Sequence, residues 1–92
     1  ARKIYKDKTR NINSEINVIG KNLDDAIQIV EKYLDDSTMA GLSKITIIHG
    51  RGEGILRDGI RKFLGTNGQV KSFTKASYDN GGDGATVVIL KE

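Results

Sequence analysis

The densest run of chemistry-bearing residues in this chain is His49-Gly50-Arg51-Gly52-Glu53-Gly54-Ile55-Leu56-Arg57. His49 is the only histidine among 92 residues. An imidazole titrates near neutrality, which suits it to general acid or base work or to phosphate contact. Gly50, Gly52 and Gly54 recur at every second position. That spacing fits a turn with positive φ, open to close approach of another group. If the turn opens a helix, free N–H groups at the positive end of the helix dipole form an anion site, and phosphate is the usual anion. Arg51 and Arg57 flank the turn with guanidinium forks suited to phosphate oxygens. The pattern is neither the Walker phosphate loop nor the GxGxxG of dinucleotide sites. Two readings without a ligand stand beside these. The glycines alone fit a tight strand-to-helix turn. His49 fits a strand-end residue bonded to backbone.

Phosphodiester cleavage needs charge stabilisation at phosphate, a positioned nucleophile and a proton donor. The turn's N–H groups, Arg51 and Arg57 supply the first, and His49 could supply or accept a proton. Glu53 is the nearest acid and reads as an exposed first-turn residue. Asp79 and Asp83 lie in a second glycine-rich stretch, Asp79-Asn80-Gly81-Gly82-Asp83-Gly84, which reads as a hairpin-type loop. Gly81, Gly82 and Gly84 there are either turn residues or a secondary ligand-contacting loop. No paired-carboxylate or His-x-His spacing occurs, so a tightly held protein metal site is not indicated. The absence of cysteine excludes disulfides and thiolate metal sites. Tyr5 and Tyr78 are isolated and make a poor base-stacking platform.

The elements that must position these residues follow from periodicity. Residues 14–19 alternate, with Ile16 and Val18 on one face, and predict a first strand. Asn22 is the expected N-cap of a helix running to about Ala40, with Asp24 and Asp25 in its first turn and Gly41 just past its end. Leu23, Ala26, Ile27, Val30, Tyr33 and Leu34 form its buried stripe. The opposite face carries Asp24, Asp25, Glu31, Asp35 and Asp36 and should repel phosphate. Residues 44–49 predict a central second strand. A second helix is expected from about Ile55 to Leu64, with Leu56, Ile60, Phe63 and Leu64 buried and Arg57, Arg61 and Lys62 off that stripe. Residues 69–76 predict a weaker third strand. Val70 and Phe73 have opposite parity there, so both reach one core only across a bulge. Ala85 to Leu90 is the last strand. Right-handed crossovers make the βαβ strands parallel, and the short last loop makes the final two strands antiparallel neighbours.

One domain fits this length. No apolar run approaches the ~20 residues of a membrane span, and no signal peptide pattern is present, so a soluble, cytoplasmic protein without membrane contact is expected. The start at Ala1 suggests a piece of something longer. Net charge is +3. Residues 1–13 hold Arg2, Lys3, Lys6, Lys8 and Arg10 against Asp7, a net +4, which leaves −1 for residues 14–92. Residues 1–13 therefore read as a basic N-terminal arm or linker and residues 14–92 as the domain. Such an arm can hold nucleic acid electrostatically, or simply be a solvated linker.

With these residues placed, the chain resembles the small MutS-related (Smr) domain over roughly residues 14–91. Ile47-Ile48-His49-Gly50-Arg51-Gly52-Glu53-Gly54-Ile55-Leu56-Arg57 looks like the family's I-I-H-G-x-G-x-G-x-L-R. Gly81-Gly82-Asp83-Gly84-Ala85-Thr86-Val87-Val88 looks like its G-G-x-G-A-T-V-V. The resemblance implies an α/β (α+β) two-layer βαβαββ sandwich. Its mixed four-stranded sheet would have order 1-2-4-3 with both helices on one face, like the C-terminal domain of the bacterial initiation factor that binds the small ribosomal subunit. It implies binding of DNA or RNA and, in many members, endonuclease activity that nicks DNA or cuts RNA. It implies a parent chain of the MutS-like type outside mismatch repair, carrying an ATPase and acting in recombination suppression or rescue of collided ribosomes. No cofactor is implied within the domain itself, and the metal dependence of cleavage stays open.

The sequence departs from the family pattern in its first strand. Members usually read L-D-L-R-G or L-D-L-H-G where this chain reads Ile16-Asn17-Val18-Ile19-Gly20. Asn17 offers only a neutral amide where an aspartate would offer an anion or a base. Ile89 stands where the family often has an acid. If the aspartate is catalytic, Asn17 and His49 are the pair to examine. Asn17 would leave His49 without a neighbouring carboxylate, and the domain would bind nucleic acid with weak cleavage. Two further expectations come from topology and charge. The sheet face away from the helices should expose parts of Thr46, Ile48, Val88 and Leu90, unless the arm covers it through Ile4 and Tyr5. Replacing Arg51 and Arg57 together should flatten the salt dependence of binding by up to ~2 log units per tenfold salt.

Overall fold

The computed structural model describes residues 12–91. The elements run β1 (Glu15–Asn17), α1 (Leu23–Met39), β2 (Lys44–Ile48), α2 (Ile55–Thr66), β3 (Val70–Lys75) and β4 (Ala85–Leu90). Two 3₁₀ turns, Tyr78–Asn80 and Gly82–Gly84, lie between β3 and β4. The sheet order is β1-β2-β4-β3. β1 pairs parallel with β2, while β4 lies antiparallel to both β2 and β3.

Local chemistry sets the element ends. The Asn22 side chain accepts the Asp25 N–H at 2.8 Å and caps α1. Past Met39 the chain turns through Gly41 at φ +80°, and the Leu42 N–H closes on the Ser37 carbonyl at 3.0 Å. Ala26, Val30, Tyr33 and Leu34 face inward from α1, and Ile60 and Leu64 from α2. They meet Ile45 and Ile47 of β2, Val88 and Leu90 of β4, and Val18 in one core. Val70 and Phe73 both reach that core because the β3–β4 pairing slips between Val70 and Ser72, the bulge their parity required.

Both helices pack on one face of the sheet. The opposite face carries half-buried Thr46, Ile48, Val87 and Ile89. Here the sequence expectation was wrong for β4, because Val88 and Leu90 are core residues at 0% and 1% exposure. The antiparallel register pairs Ile45 with Val88 and Ile47 with Thr86, so the even positions of β4 share a face with the odd positions of β2. Ile12 packs against the core and the Asn13 carbonyl accepts the Tyr33 hydroxyl, so these two residues, read as arm, are attached to the domain. Ile4 and Tyr5 lie outside the described residues.

Candidate functional site

The site lies at the sheet edge where β2 ends, beside the end of β1 and the start of β4. Gly50, Gly52 and Gly54 have φ of +79°, +41° and +85°. All three therefore use the left-handed region that other residues avoid. Gly54 caps α2 with no side-chain hydrogen bond, and the first backbone bond of the helix runs from the Asp58 N–H to the Gly54 carbonyl at 2.9 Å. The N–H groups of the first turn of α2 thus have no side-chain cap, as an anion site requires. The second glycine loop is stitched to the first. The Gly84 carbonyl accepts from both the His49 N–H, at 3.1 Å, and the Gly50 N–H, at 2.8 Å. Antiparallel pairing of β2 with β4 creates this junction, since it puts the end of one strand against the start of the other.

Arg51 is exposed and makes no ion pair with a described residue. Its side chain lies along the second loop, where a Cβ on Gly82 or Gly84 would stand 3.5 Å from it. Arg57 is held differently. Its Nε donates to Asp58 at 2.9 Å, and its Nη1 donates to Asp83. Nη2 occupies space that a side chain on Gly54 would fill, 2.5 Å from the Cβ position. Arg57 therefore already has carboxylate partners: its guanidinium holds the Asp58 pKa down, and Asp58 and Asp83 raise that of Arg57. A phosphate ligand of Arg57 would have to share or displace them. Glu53 is exposed, as its sequence position implied.

His49 is 3% exposed, and both ring nitrogens are engaged. Nδ1 bonds the Gly50 carbonyl at 2.9 Å and Nε2 bonds the Thr86 hydroxyl at 2.8 Å. A carbonyl only accepts, so Nδ1 carries the proton. The hydroxyl accepts Arg61 Nε–H at 2.9 Å and can donate to a neutral Nε2. Asp83 lies 3.7 Å from Arg61 Nη1 and completes the chain Arg57–Asp83–Arg61–Thr86–His49–Gly50. Burial pushes the His49 pKa below its ordinary value. The Gly50 bond and Asp83 oppose that shift, and Arg61 and Arg57 add to it. No carboxylate bonds His49, as expected, and Asp83 acts on it only weakly, from beyond the arginines. In this geometry His49 braces the glycine turn through backbone and hydroxyl, the arrangement sequence reading had set beside catalysis.

Asn17 ends β1 opposite Ile48. Its Oδ1 accepts the Ile19 N–H at 2.9 Å, closing a local turn. A cleft of ≈ 360 Å³ lies at this edge, lined by Ile19–Lys21 and by the run from His49 to Leu56. Asn17 stands beside that lining rather than in it. Gly81, at φ +111°, is exposed, and Gly82 and Gly84 are buried at the junction. Among the described residues no group of three acidic, histidine or cysteine side chains is placed to hold a metal ion. Sequence reasoning missed Thr86, Arg61 and Asp83 as parts of the site. The i, i+4 spacing of Arg57 and Arg61 on one helix face was the available signal. Nothing in one sequence announced that Thr86 would lie under His49.

A βαβαββ sandwich with two joined glycine loops at this edge defines a family. The Smr domain model matches residues 16–91, and the chain belongs to the Smr family. It is 50% identical over 84 residues to the Endonuclease MutS2 of Caldanaerobacter subterraneus subsp. tengcongensis, which covers 91% of this chain and 11% of that protein. It is 53% identical over 85 residues to the Endonuclease MutS2 of Caldicellulosiruptor bescii, covering 92% of this chain and 11% of the relative. The chain thus spans about a tenth of the length of these relatives. Among solved structures, the Smr domain of Thermus thermophilus MutS2 superposes with a TM-score of 0.84 at 36% identity, covering 85% of this chain and 98% of that one. YdaL, a stand-alone small MutS-related protein from Escherichia coli, shares the fold, with a TM-score of 0.81 at 24% identity over 94% and 73% of the two chains. No helix among the described residues is long and apolar enough to cross a membrane.

Proposed function

We propose that this domain binds the phosphate backbone of DNA or RNA at the glycine-loop edge and serves as the endonuclease module of a longer MutS-like ATPase. Recombination suppression or ribosome rescue would be the setting, with nucleic acid or the ribosome as partner. The observation that carries the reading is the junction itself. Two glycine loops share the Gly84 carbonyl, next to a helix start without a side-chain cap and an Arg51 that has no ion-pair partner among the described residues. Backbone donors, a helix dipole and an exposed cation at one edge suit a phosphate. The names of the relatives, endonucleases with this domain, support cleavage as the chemistry.

A second reading is binding with little or no cleavage. It is favoured by Asn17 in place of the family aspartate and by the full engagement of both His49 nitrogens. One assay separates the two: nicking of supercoiled plasmid and cleavage of single-stranded RNA by this chain, by Asn17→Asp and by His49 variants. We expect binding with slow cleavage from the unmodified chain and faster cleavage from Asn17→Asp, whose carboxylate can keep the bond to the Ile19 N–H. His49→Ala should abolish that gain while leaving much of the binding. His49→Gln, which retains a polar group facing Thr86, guards against simple unfolding. Robust cleavage by the unmodified chain that survives both His49 variants would place the chemistry on other residues.

A further inference from the structure

Two of the four large apolar side chains exposed among the described residues, Ile19 and Ile55, stand beside the glycine turn. Ile19 is 56% exposed and Ile55 is 61% exposed. Both line the cleft that contains Gly50 to Gly54, and the charged residues Lys21, Arg51 and Glu53 share it. Ile19 lies directly against the turn, since a Cβ on Gly50 would be 3.3 Å from its Cγ1. Ile55 is the first residue of α2, beside the free N–H groups. The cleft therefore offers aliphatic surface beside backbone donors and cations. A bare phosphate uses only the donors and cations.

We infer that this cleft takes a nucleotide whose base is unpaired, with its phosphate on the glycine turn and its base against Ile19 and Ile55. The inference rests on the phosphate-binding reading above and names the form of nucleic acid that the same site prefers. In a duplex the base faces are stacked on one another and the strand presents sugar and phosphate outward, so the two isoleucines meet little apolar surface. In a single strand, loop or bulge the base can swing out and cover them. Aliphatic surface favours an exposed base face of any identity, so the preference is for an unpaired state rather than for a sequence. The cations serve both forms equally, because both carry the same phosphate.

The test measures binding of the 92-residue chain to an unstructured RNA oligonucleotide, to DNA of the same sequence, and to the blunt duplex of each. Ile19→Ala, Ile55→Ala and Ile55→Tyr are compared with the parent, and gel filtration reports self-association. Each alanine change should weaken single-strand binding roughly fivefold to tenfold, from the apolar area no longer covered. Duplex binding and the salt slope should stay as in the parent. Ile55→Tyr should tighten the single strand by adding a stacking face. Both side chains are largely in solvent, so unchanged thermal melting should accompany these effects. Equal losses for single strand and duplex, or none for either, would overturn the inference and leave phosphate binding intact. An unchanged affinity for oligonucleotides with altered self-association would overturn it too, and assign the isoleucines to a protein contact. Binding of no probe by the parent would overturn both this inference and the reading beneath it.

Discussion

Thr86→Val tests the polar chain beneath the glycine turn with almost no change of shape. Thr86 is fully buried, and its hydroxyl serves two groups, His49 Nε2 at 2.8 Å and Arg61 Nε at 2.9 Å. Valine keeps the β-branched form that suits a strand, so backbone preference is unaffected. What changes is that two polar groups lose their partner. A buried group left unsatisfied costs about 1–3 kcal/mol. His49 is almost wholly enclosed and should bear most of that cost. The Arg61 side chain is 25% exposed and can recover part of its loss from water, although its Nη2 is already buried without a partner. The combined loss is roughly 2–4 kcal/mol, a large part of the ~5–15 kcal/mol that holds a domain folded. For a domain of this size it should lower the melting temperature on the order of 10–25 °C. Urea unfolding at pH 7.5 of the parent, Thr86→Val and Thr86→Ser measures it. Serine retains the hydroxyl and should lie within about 1 kcal/mol of the parent, having lost one methyl group. A valine variant as stable as the parent, or a serine variant less stable than valine, would refute the assignment of the hydroxyl as the bridge.

Three further outcomes are expected. The His49 pKa, read by NMR titration, should lie below the ordinary 6.5 because burial disfavours the imidazolium. Its contribution to stability is then complete above the unfolded-state pKa, ~6.5, and is lost as pH falls through the lower folded-state value. A stability curve that rises on acidification through that range would contradict this sign. Arg51→Ala should flatten the salt dependence of duplex binding by up to ~0.9 log units per tenfold salt. Arg57→Ala should flatten it less, because Arg57 is held by Asp58 and Asp83, and Asp83→Asn should increase the share carried by Arg57. Gly50→Ala should destabilise the domain by roughly 1–3 kcal/mol in the same urea assay, because it forces a side chain into positive φ, with its Cβ 3.3 Å from Ile19.

The sequence by itself determined the elements, because their signals are local. Helical spacing from Leu23 to Leu34, the Asn22 cap and Gly41 set α1, and parity alone called for the bulge between Val70 and Phe73. Connection lengths and crossover handedness made the βαβ strands parallel and the last two antiparallel, while the order 1-2-4-3 with both helices on one face came from the resemblance to the Smr family, and the structure has that order. The glycine turn was legible for the same reason, since three closely spaced glycines mark positive φ whatever surrounds them. What the chain alone could not supply was anything that depends on register between distant segments. The face of β4 is one such case. Ala85 to Leu90 is apolar at nearly every position, so no alternation distinguishes Val88 from Val87, and only the pairing of Ile45 with Val88 decides it. The surroundings of His49 are another. Thr86 is 37 residues away in sequence and meets the ring because β4 inserts beside β2. Arg57 likewise read as a free cation from its position on the helix, until the second glycine loop brought Asp83 to it. Backbone conformation and amphipathic faces are written in neighbouring residues. Partners for buried polar groups are chosen by the packing of strands that the sequence holds far apart.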